Sequence, residues 1–353
     1  MKVEAVNAHT ELSATPSPDI ERAKLALWPW LQAGPRGALP ASLFDERTRW
    51  FVSHPFNQID GATAAQAQLY APLVAALPDV ERRTDLFFGG PWGGLRAGDD
   101  GAGLWLTVHG HYVGTFRQPW LGIPATGGVA SVRFGEFYRW VPDTTHPAGG
   151  RIDEVRMLLD IVDLARQAGT PILPRPTGLE CWVPGPAPHD GLLTNGHRAE
   201  AGVRSMQAVM AMIAGLMDFD GKDLATMGMP RFWHEDMMWY GPGGIGTARG
   251  VTGFQDHHQR PFLHAFPDRK GGTHRARIAE GAFVASTGWP SVRATHGGSY
   301  LGVPASNQPI TMRVADWWRF DGRWLTENWV LIDLPHLMLQ MGVDLLARLP
   351  ART

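Results

Sequence analysis

The sequence predicts an α+β protein in which one domain-sized unit occurs twice, and three observations carry that reading. First, Leu301-Gly302-Val303-Pro304, Arg313, Asp316-Trp317-Trp318-Arg319, Gly322-Arg323, Glu327, Asp333 and Gln340-Met341-Gly342 follow the order of an upstream set. That set is Leu121-Gly122-Ile123-Pro124, Arg133, Glu136-Phe137-Tyr138-Arg139, Gly150-Arg151, Glu154, Asp160 and Gln167-Ala168-Gly169. Glu to Asp is six residues in both, and Asp to Gln is seven in both. Matched spacing over so many landmarks marks a tandem duplication. Second, Trp50 and Trp239, Gly61 and Gly250, Pro72 and Pro261, and Pro78 and Pro267 all stand 189 apart, so the unit reaches domain size. Third, helical patterns precede strand-like runs in each copy, as in an α+β fold with an antiparallel sheet.

Taken in order, residues 1–16 are polar and aperiodic, a flexible lead-in. Ser17-Pro18-Asp19 is a helix start, and Pro29, which lacks a donor, predicts its end near Trp28. A shorter helix is expected over 40–49 and an amphipathic one over 61–77. Strand-like runs follow at 85–88, 104–116, 129–140 and 152–159, separated by glycine or proline turns. A short helix over 161–167 closes the copy. Prolines crowd residues 170–190, which reads as a stiff connector. We place domain 1 at 1–170, the linker at 171–195 and domain 2 at 196–353. In the second copy Val203, Met206, Met210, Ile213 and Met217 form one helical stripe. Short helical turns at 231–236 and a helix over 251–265 come next. Strand-like runs at 275–285, 292–300, 310–320 and 324–332 precede the final helical turns at 334–342.

The length suits two domains, and 44% apolar residues let each bury a core. A net charge of −2 without a basic cluster argues against a nucleic-acid partner. The single cysteine, Cys181, excludes an intrachain disulfide, fits a reducing compartment and reads as a spectator thiol. Met1-Lys2-Val3-Glu4 opens no apolar signal segment, and no run approaches the ~20 apolar residues of a membrane span. A cytoplasmic protein without a membrane partner is the expectation. Fifteen Trp and fifteen Phe supply core, and some of them suit the walls of an apolar pocket.

In the second copy, Trp239 is followed by Gly241-Pro242 and Gly250, then by Phe266-Pro267-Asp268 and Thr295-His296-x-Gly298. After these come Leu301 to Pro304, Asp321-Gly322-Arg323, and Glu327-Asn328-Trp329 ahead of Asp333. This ordered set resembles the SnoaL-like polyketide cyclase family of the nuclear-transport-factor-2-like superfold. The first copy, lacking Gly-Pro after Trp50, is the more divergent. The resemblance covers about 40–170 and 200–345. It implies two tandem cone-shaped domains, each a curved antiparallel sheet wrapped by N-terminal helices. It also implies cofactor-independent acid/base catalysis, an aldol-type cyclisation or isomerisation of a small hydrophobic carbonyl compound. An aspartate ending the last long strand would be the general acid/base: Asp333, with Asp160 its counterpart.

Such chemistry needs a base beside a carbonyl and a donor for the enolate; aromatic walls raise a carboxyl pKa toward that task. The candidate catalytic residues are Asp333, His296 as donor or relay, and Asp160. Candidate substrate-binding residues are Trp239, Tyr240, His257, Asp316, Trp318, Asn328 and Trp329. By period 2, Glu327, Trp329, Leu331 and Asp333 share a face, and so do Val314, Asp316 and Trp318. The bland readings stand beside these: Asp333 as a helix N-cap, Asp316 paired to Arg313 or Arg319, the tryptophans as core. The second copy, the more complete, is expected to be the active one. No metal and no cofactor are expected: His109 and His111 lack a third ligand, and Gly241 to Gly246 does not open a helix in a βαβ unit. Two other readings stay open: an epoxide hydrolase or hydratase, which would need an Arg-x-Asp pair absent at Arg293 to His296, and a non-catalytic small-molecule binder. The two copies are expected to form an intrachain pseudo-dimer, and a homodimer of whole chains stays open.

Overall fold

A computed structural model describes residues 13–94, 99–180 and 182–349; Cys181 lies outside them, as do residues 1–12 of the expected lead-in. Helix α1 (Pro18–Ala33) opens as the sequence predicts, Ser17 Oγ accepting the Ile20 N–H at 3.4 Å. It does not stop at Pro29. The missing N–H would have met the carbonyl of Leu25, which is 58% exposed, so water can satisfy that carbonyl and the buried Leu27–Trp30–Leu31 face holds the helix together. Residues 41–47 form turns rather than the expected helix.

Strands β1 (Arg49–Val52) and β2 (Asn57–Asp60) lead to a helix made of α2 (Ala62–Ala65), a π turn (Gln66–Tyr70) and α3 (Ala71–Ala76). Next come β3 (Glu81–Trp92), β4 (Gly103–Thr115), β5 (Val129–Pro142), β6 (Gly150–Leu159) and α4 (Ile161–Gln167). The second half runs α5 (Ala199–Leu216), β7 (Trp233–Tyr240), β8 (Thr247–Arg249), α6 (Gly250–Phe254), a π turn (Gln255–Gln259) and α7 (Arg260–Ala265). Strands β9 (Lys270–Gly271), β10 (His274–Glu280), β11 (Phe283–Thr295), β12 (Pro309–Phe320) and β13 (Leu325–Ile332) then precede α8 (Leu334–Gln340).

The duplication is visible in the topology. One sheet has the order β2-β1-β6-β5-β4-β3; the other runs β8-β7-β13-β12-β11-β10, corresponding strands in the same places, with β9 added against β11. The sheets are mixed rather than purely antiparallel, because β1 pairs parallel to β6 and β7 parallel to β13. A strand begins at Trp233 where helical turns were expected over 231–236. Both sheets are buried on two sides. One face of each lies under its own helices, with Trp50, Tyr138, Trp239 and Trp318 in that core. The opposite faces meet each other through Phe88, Trp105, Phe137, Tyr240, Trp317 and Trp329. Trp317 donates from Nε1 to Thr107 Oγ1 of the other sheet at 2.9 Å, and Arg275 Nε donates to Glu154 at 2.7 Å. No helix among the described residues is long and apolar enough to cross a membrane.

Candidate functional site

Directly paired residues on neighbouring strands share a face, so the register defines what lies beneath the second-half helices. One row crosses β10 to β13 as Arg277, Ser286, Asp316 and Val330. The next row is Ala279, Val284, Trp318, Asn328 and, on β7, Trp239. Above them His258 stacks on Trp239 at 4.3 Å with a 16° tilt, flanked by Phe254 and Phe262. Burial pushes the Asp316 carboxyl up to about 7, against the opposing pull of the Arg277 charge and the Asn328 amide. Burial alone lowers His258 to about 3, so this ring is neutral. The face therefore joins aromatic walls, one carboxyl poised near neutrality and one arginine.

Four expected site residues gather here: Asp316, Trp318, Asn328 and Trp239. The Asn328 amide donates to the Trp317 carbonyl at 2.9 Å, which fixes its orientation. Asp316 pairs with neither Arg313 nor Arg319. Arg313 Nη1 donates to Asn57 Oδ1 at 2.9 Å and to Asp333, and Arg319 Nη2 donates to Asp190 at 2.8 Å. Tyr240 and Trp329 point the other way, stacked at 5.3 Å in the contact between the sheets; Trp329 Nε1 donates to the Pro184 carbonyl at 2.8 Å. Period 2 correctly places Glu327, Trp329 and Leu331 on one face, but that face is turned to the first sheet. Two faces that are both apolar cannot be ranked by periodicity. His257 is half-buried on the π turn, where its neighbour His258 supplies the stacking ring.

Asp333 sits elsewhere. It caps α8, Oδ1 accepting the His336 N–H at 3.2 Å, while Oδ2 accepts the His54 N–H at 3.0 Å and Arg313 Nη1 at 3.1 Å. Asp160 makes the matching cap: Oδ1 accepts from Asp163 N at 3.1 Å and Oδ2 from Gly243 N at 2.7 Å. His54 and Gly243 are themselves 189 residues apart, so each half's terminal aspartate holds the same turn of the other half. Burial and the adjacent Asp163 charge raise Asp160 to about 6; burial also raises Asp333. His296 is buried at the end of β11, Nδ1 accepting from Ser306 N at 3.1 Å, its ring 5.8 Å from Phe266.

The first half treats the equivalent position differently. Glu136, in the place of Asp316, accepts from Arg82 at 2.7 and 3.0 Å and from the hydroxyls of Tyr112 at 2.9 Å and Tyr138 at 2.6 Å. Arg82 in turn lies over the rings of Trp30, Tyr112 and Phe134 at 5.2, 5.0 and 4.5 Å. This carboxylate is fully satisfied by its own chain.

His109 and His111 both face Asp85, at 3.6 and 3.2 Å, and His109 Nε2 accepts from Arg133 Nε at 2.8 Å. Among the described residues no group of three or more His, Cys, Asp or Glu is arranged to hold a metal. The Gly241–Gly246 segment forms a tight turn, Pro242 O accepting from Ile245 N and Gly246 N, that abuts Asp160.

Residues 218–341 match the family described as SnoaL-like polyketide cyclase. Among solved structures, AclR from Streptomyces galilaeus, described as a candidate hydroxylase, is 22% identical; the match covers 40% of this chain and 96% of that one with a TM-score of 0.32. IdmH from Streptomyces antibioticus, described as a candidate polyketide cyclase, is 26% identical over 37% of this chain and 96% of its own, TM-score 0.31. A candidate SnoaL-like polyketide cyclase from Jannaschia sp. CCS1 is 15% identical over 40% and 94%, TM-score 0.35. No curated protein matches the chain. Over residues 218–341, in its second half, the chain is thus similar to the SnoaL-like polyketide cyclase family.

Proposed function

We propose that the second half is a cofactor-independent acid/base enzyme acting on a hydrophobic carbonyl compound, by aldol-type cyclisation or isomerisation, and that Asp316 is its base. One observation carries this: Asp316 is a carboxyl beneath the helices whose pKa, near 7, suits a general base at neutral pH. Asp333, the base implied by the family resemblance, is read instead as a cap, because its carboxylate is occupied by two backbone N–H groups and Arg313. Trp239 and Trp318, buried beside this face, and His258, stacked on Trp239, make its surroundings apolar, as a hydrophobic substrate requires. The first half is read as a scaffold, since Glu136 is neutralised by Arg82. We further read the chain as two domains joined through residues 171–195, with the reciprocal bonds of Asp160 and Asp333 holding them as an intrachain pseudo-dimer.

The test is hydrogen–deuterium exchange at the activated carbon of 2-tetralone in D2O, followed by proton NMR. Native protein should speed exchange over buffer, and Asp316→Asn should lower the catalysed rate roughly 10²–10⁴-fold. Full activity in Asp316→Asn, or no catalysis by the native protein, overturns the reading.

A further inference from the structure

Arg277 stands on the helix-covered face without the partners a buried guanidinium needs. It is 4% exposed. Its Nη1 donates to the thioether of Met210 on α5 at 3.2 Å, a weak acceptor, and its Nε has no hydrogen-bond partner. Among the described residues no carboxylate forms an ion pair with it; Asp316 acts on it only as a nearby charge. Burial lowers its pKa to about 10, which still leaves it cationic at neutral pH. Other buried arginines in this chain are treated differently. Arg82 is bidentate to Glu136, and Arg275 meets Glu154. Keeping an unpaired cation out of water costs free energy that a structural role does not return.

The register places Arg277 two strands from Asp316 in one row, with Ser286 between them. At strand spacing their Cα atoms are about 10 Å apart, and both side chains rise toward the same helices. The row thus sets a cationic donor at one end and a carboxyl at the other, the two groups that enolisation needs.

We propose that Arg277 is a catalytic residue that binds the oxygen on which negative charge develops, an enolate or phenolate oxygen carried by a hydrophobic ring. The inference rests on reading Asp316 as the base. Asp316 removes the proton from the carbon beside the carbonyl. The C–H pair becomes the enolate C=C bond, and the carbonyl π pair moves to oxygen, where Arg277 holds it. In ring closure the enolate carbon attacks a second carbonyl of the same molecule. The first C=O re-forms, and the new alkoxide takes the proton back from Asp316. Nothing is gained or lost, so the product is an isomer of the substrate.

The probe is 4-nitrophenol, whose ionised form absorbs at longer wavelength and mimics an enolate. Native protein should bind the phenolate more tightly than the phenol, lowering the apparent pKa of the bound probe. Arg277→Met should abolish that preference and lower 2-tetralone exchange about 10²–10³-fold, while Arg277→Lys keeps part of both. Removal of an unpaired buried charge should also leave the melting temperature of Arg277→Met at or above the native value. A native protein with no phenolate preference, or an Arg277→Met variant that keeps it or melts lower, overturns the proposal. The two readings fail separately: Asp316→Asn that loses exchange while Arg277→Met retains it sinks only the role of Arg277. Asp316→Asn that exchanges normally removes the base whatever the probe does.

Discussion

Glu136 and Asp316 occupy one position of a duplicated unit, and neutralising each should have opposite consequences for stability. Glu136 is wholly buried and accepts four hydrogen bonds, two from Arg82 and one each from Tyr112 and Tyr138. Glu136→Gln keeps the shape but leaves the Arg82 guanidinium buried among Trp30, Tyr112 and Phe134 without its counter-charge. Removing one partner of a buried pair costs about 3–5 kcal/mol. At about 2–4 °C per kcal/mol for a domain of this size, the melting temperature should fall by roughly 6–20 °C. Asp316 has no such partner, and burial opposes its charge. Asp316→Asn at pH 8 should therefore leave the melting temperature unchanged or raise it. Circular-dichroism melts of native, Glu136→Gln and Asp316→Asn protein decide the matter. Equal losses in both variants would refute the division between a structural and a functional copy.

Three further outcomes follow from the same contacts. Asp333→Asn weakens the acceptor shared by His54, His336 and Arg313, so it should lower the melting temperature while keeping 2-tetralone exchange per folded molecule; loss of exchange without loss of stability would restore Asp333 as the base. The folded pKa of Asp316 is raised from 3.8 to about 7, so the folded state holds this proton better than the unfolded one. Its contribution to stability is full below pH ~4 and is lost as pH rises through about 7. The melting temperature of native protein, relative to Asp316→Asn, should fall across that window, and a flat difference would rule the shift out. At Gly135 an added Cβ would come within 2.2 Å of the Trp317 ring. Gly135→Ala should therefore separate the sheets locally and expose Trp317, seen as a red shift and quenching of tryptophan fluorescence.

Much of the fold is legible in the sequence because the duplication is. Matched spacings from Leu121 to Gly169 and from Leu301 to Gly342 suffice to place β5, β6, β12 and β13 along the chain. β1 and β7 are hidden, since each pairs in parallel with the last strand of its half, a contact about a hundred residues away that leaves no local pattern. The helix end at Pro29 is misjudged because a proline whose lost bond faces solvent costs less than the buried face gains. The site divides in the same way. Asp316, Trp318 and Asn328 come from the landmark set, but the face they share with Arg277 depends on register across four strands. Arg277 carried one faint signal, a charge inside the otherwise strand-like His274–Glu280 segment. Asp333 is the instructive case: an aspartate ending a strand before a helix serves equally as base or cap, and the three donors that support the cap reading are visible only in the structure.

Everything proposed for the second half depends on a carboxyl poised as a base on its helix-covered face. A carbon-13 NMR titration of the aspartate side-chain carboxyls, in native protein and in Asp316→Asn, reads that property at the residue itself. One resonance should titrate with a midpoint near 7 and disappear in the variant. If the resonance assigned to Asp316 by this difference titrates near the ordinary carboxylate range of about 4, Asp316 is not the base.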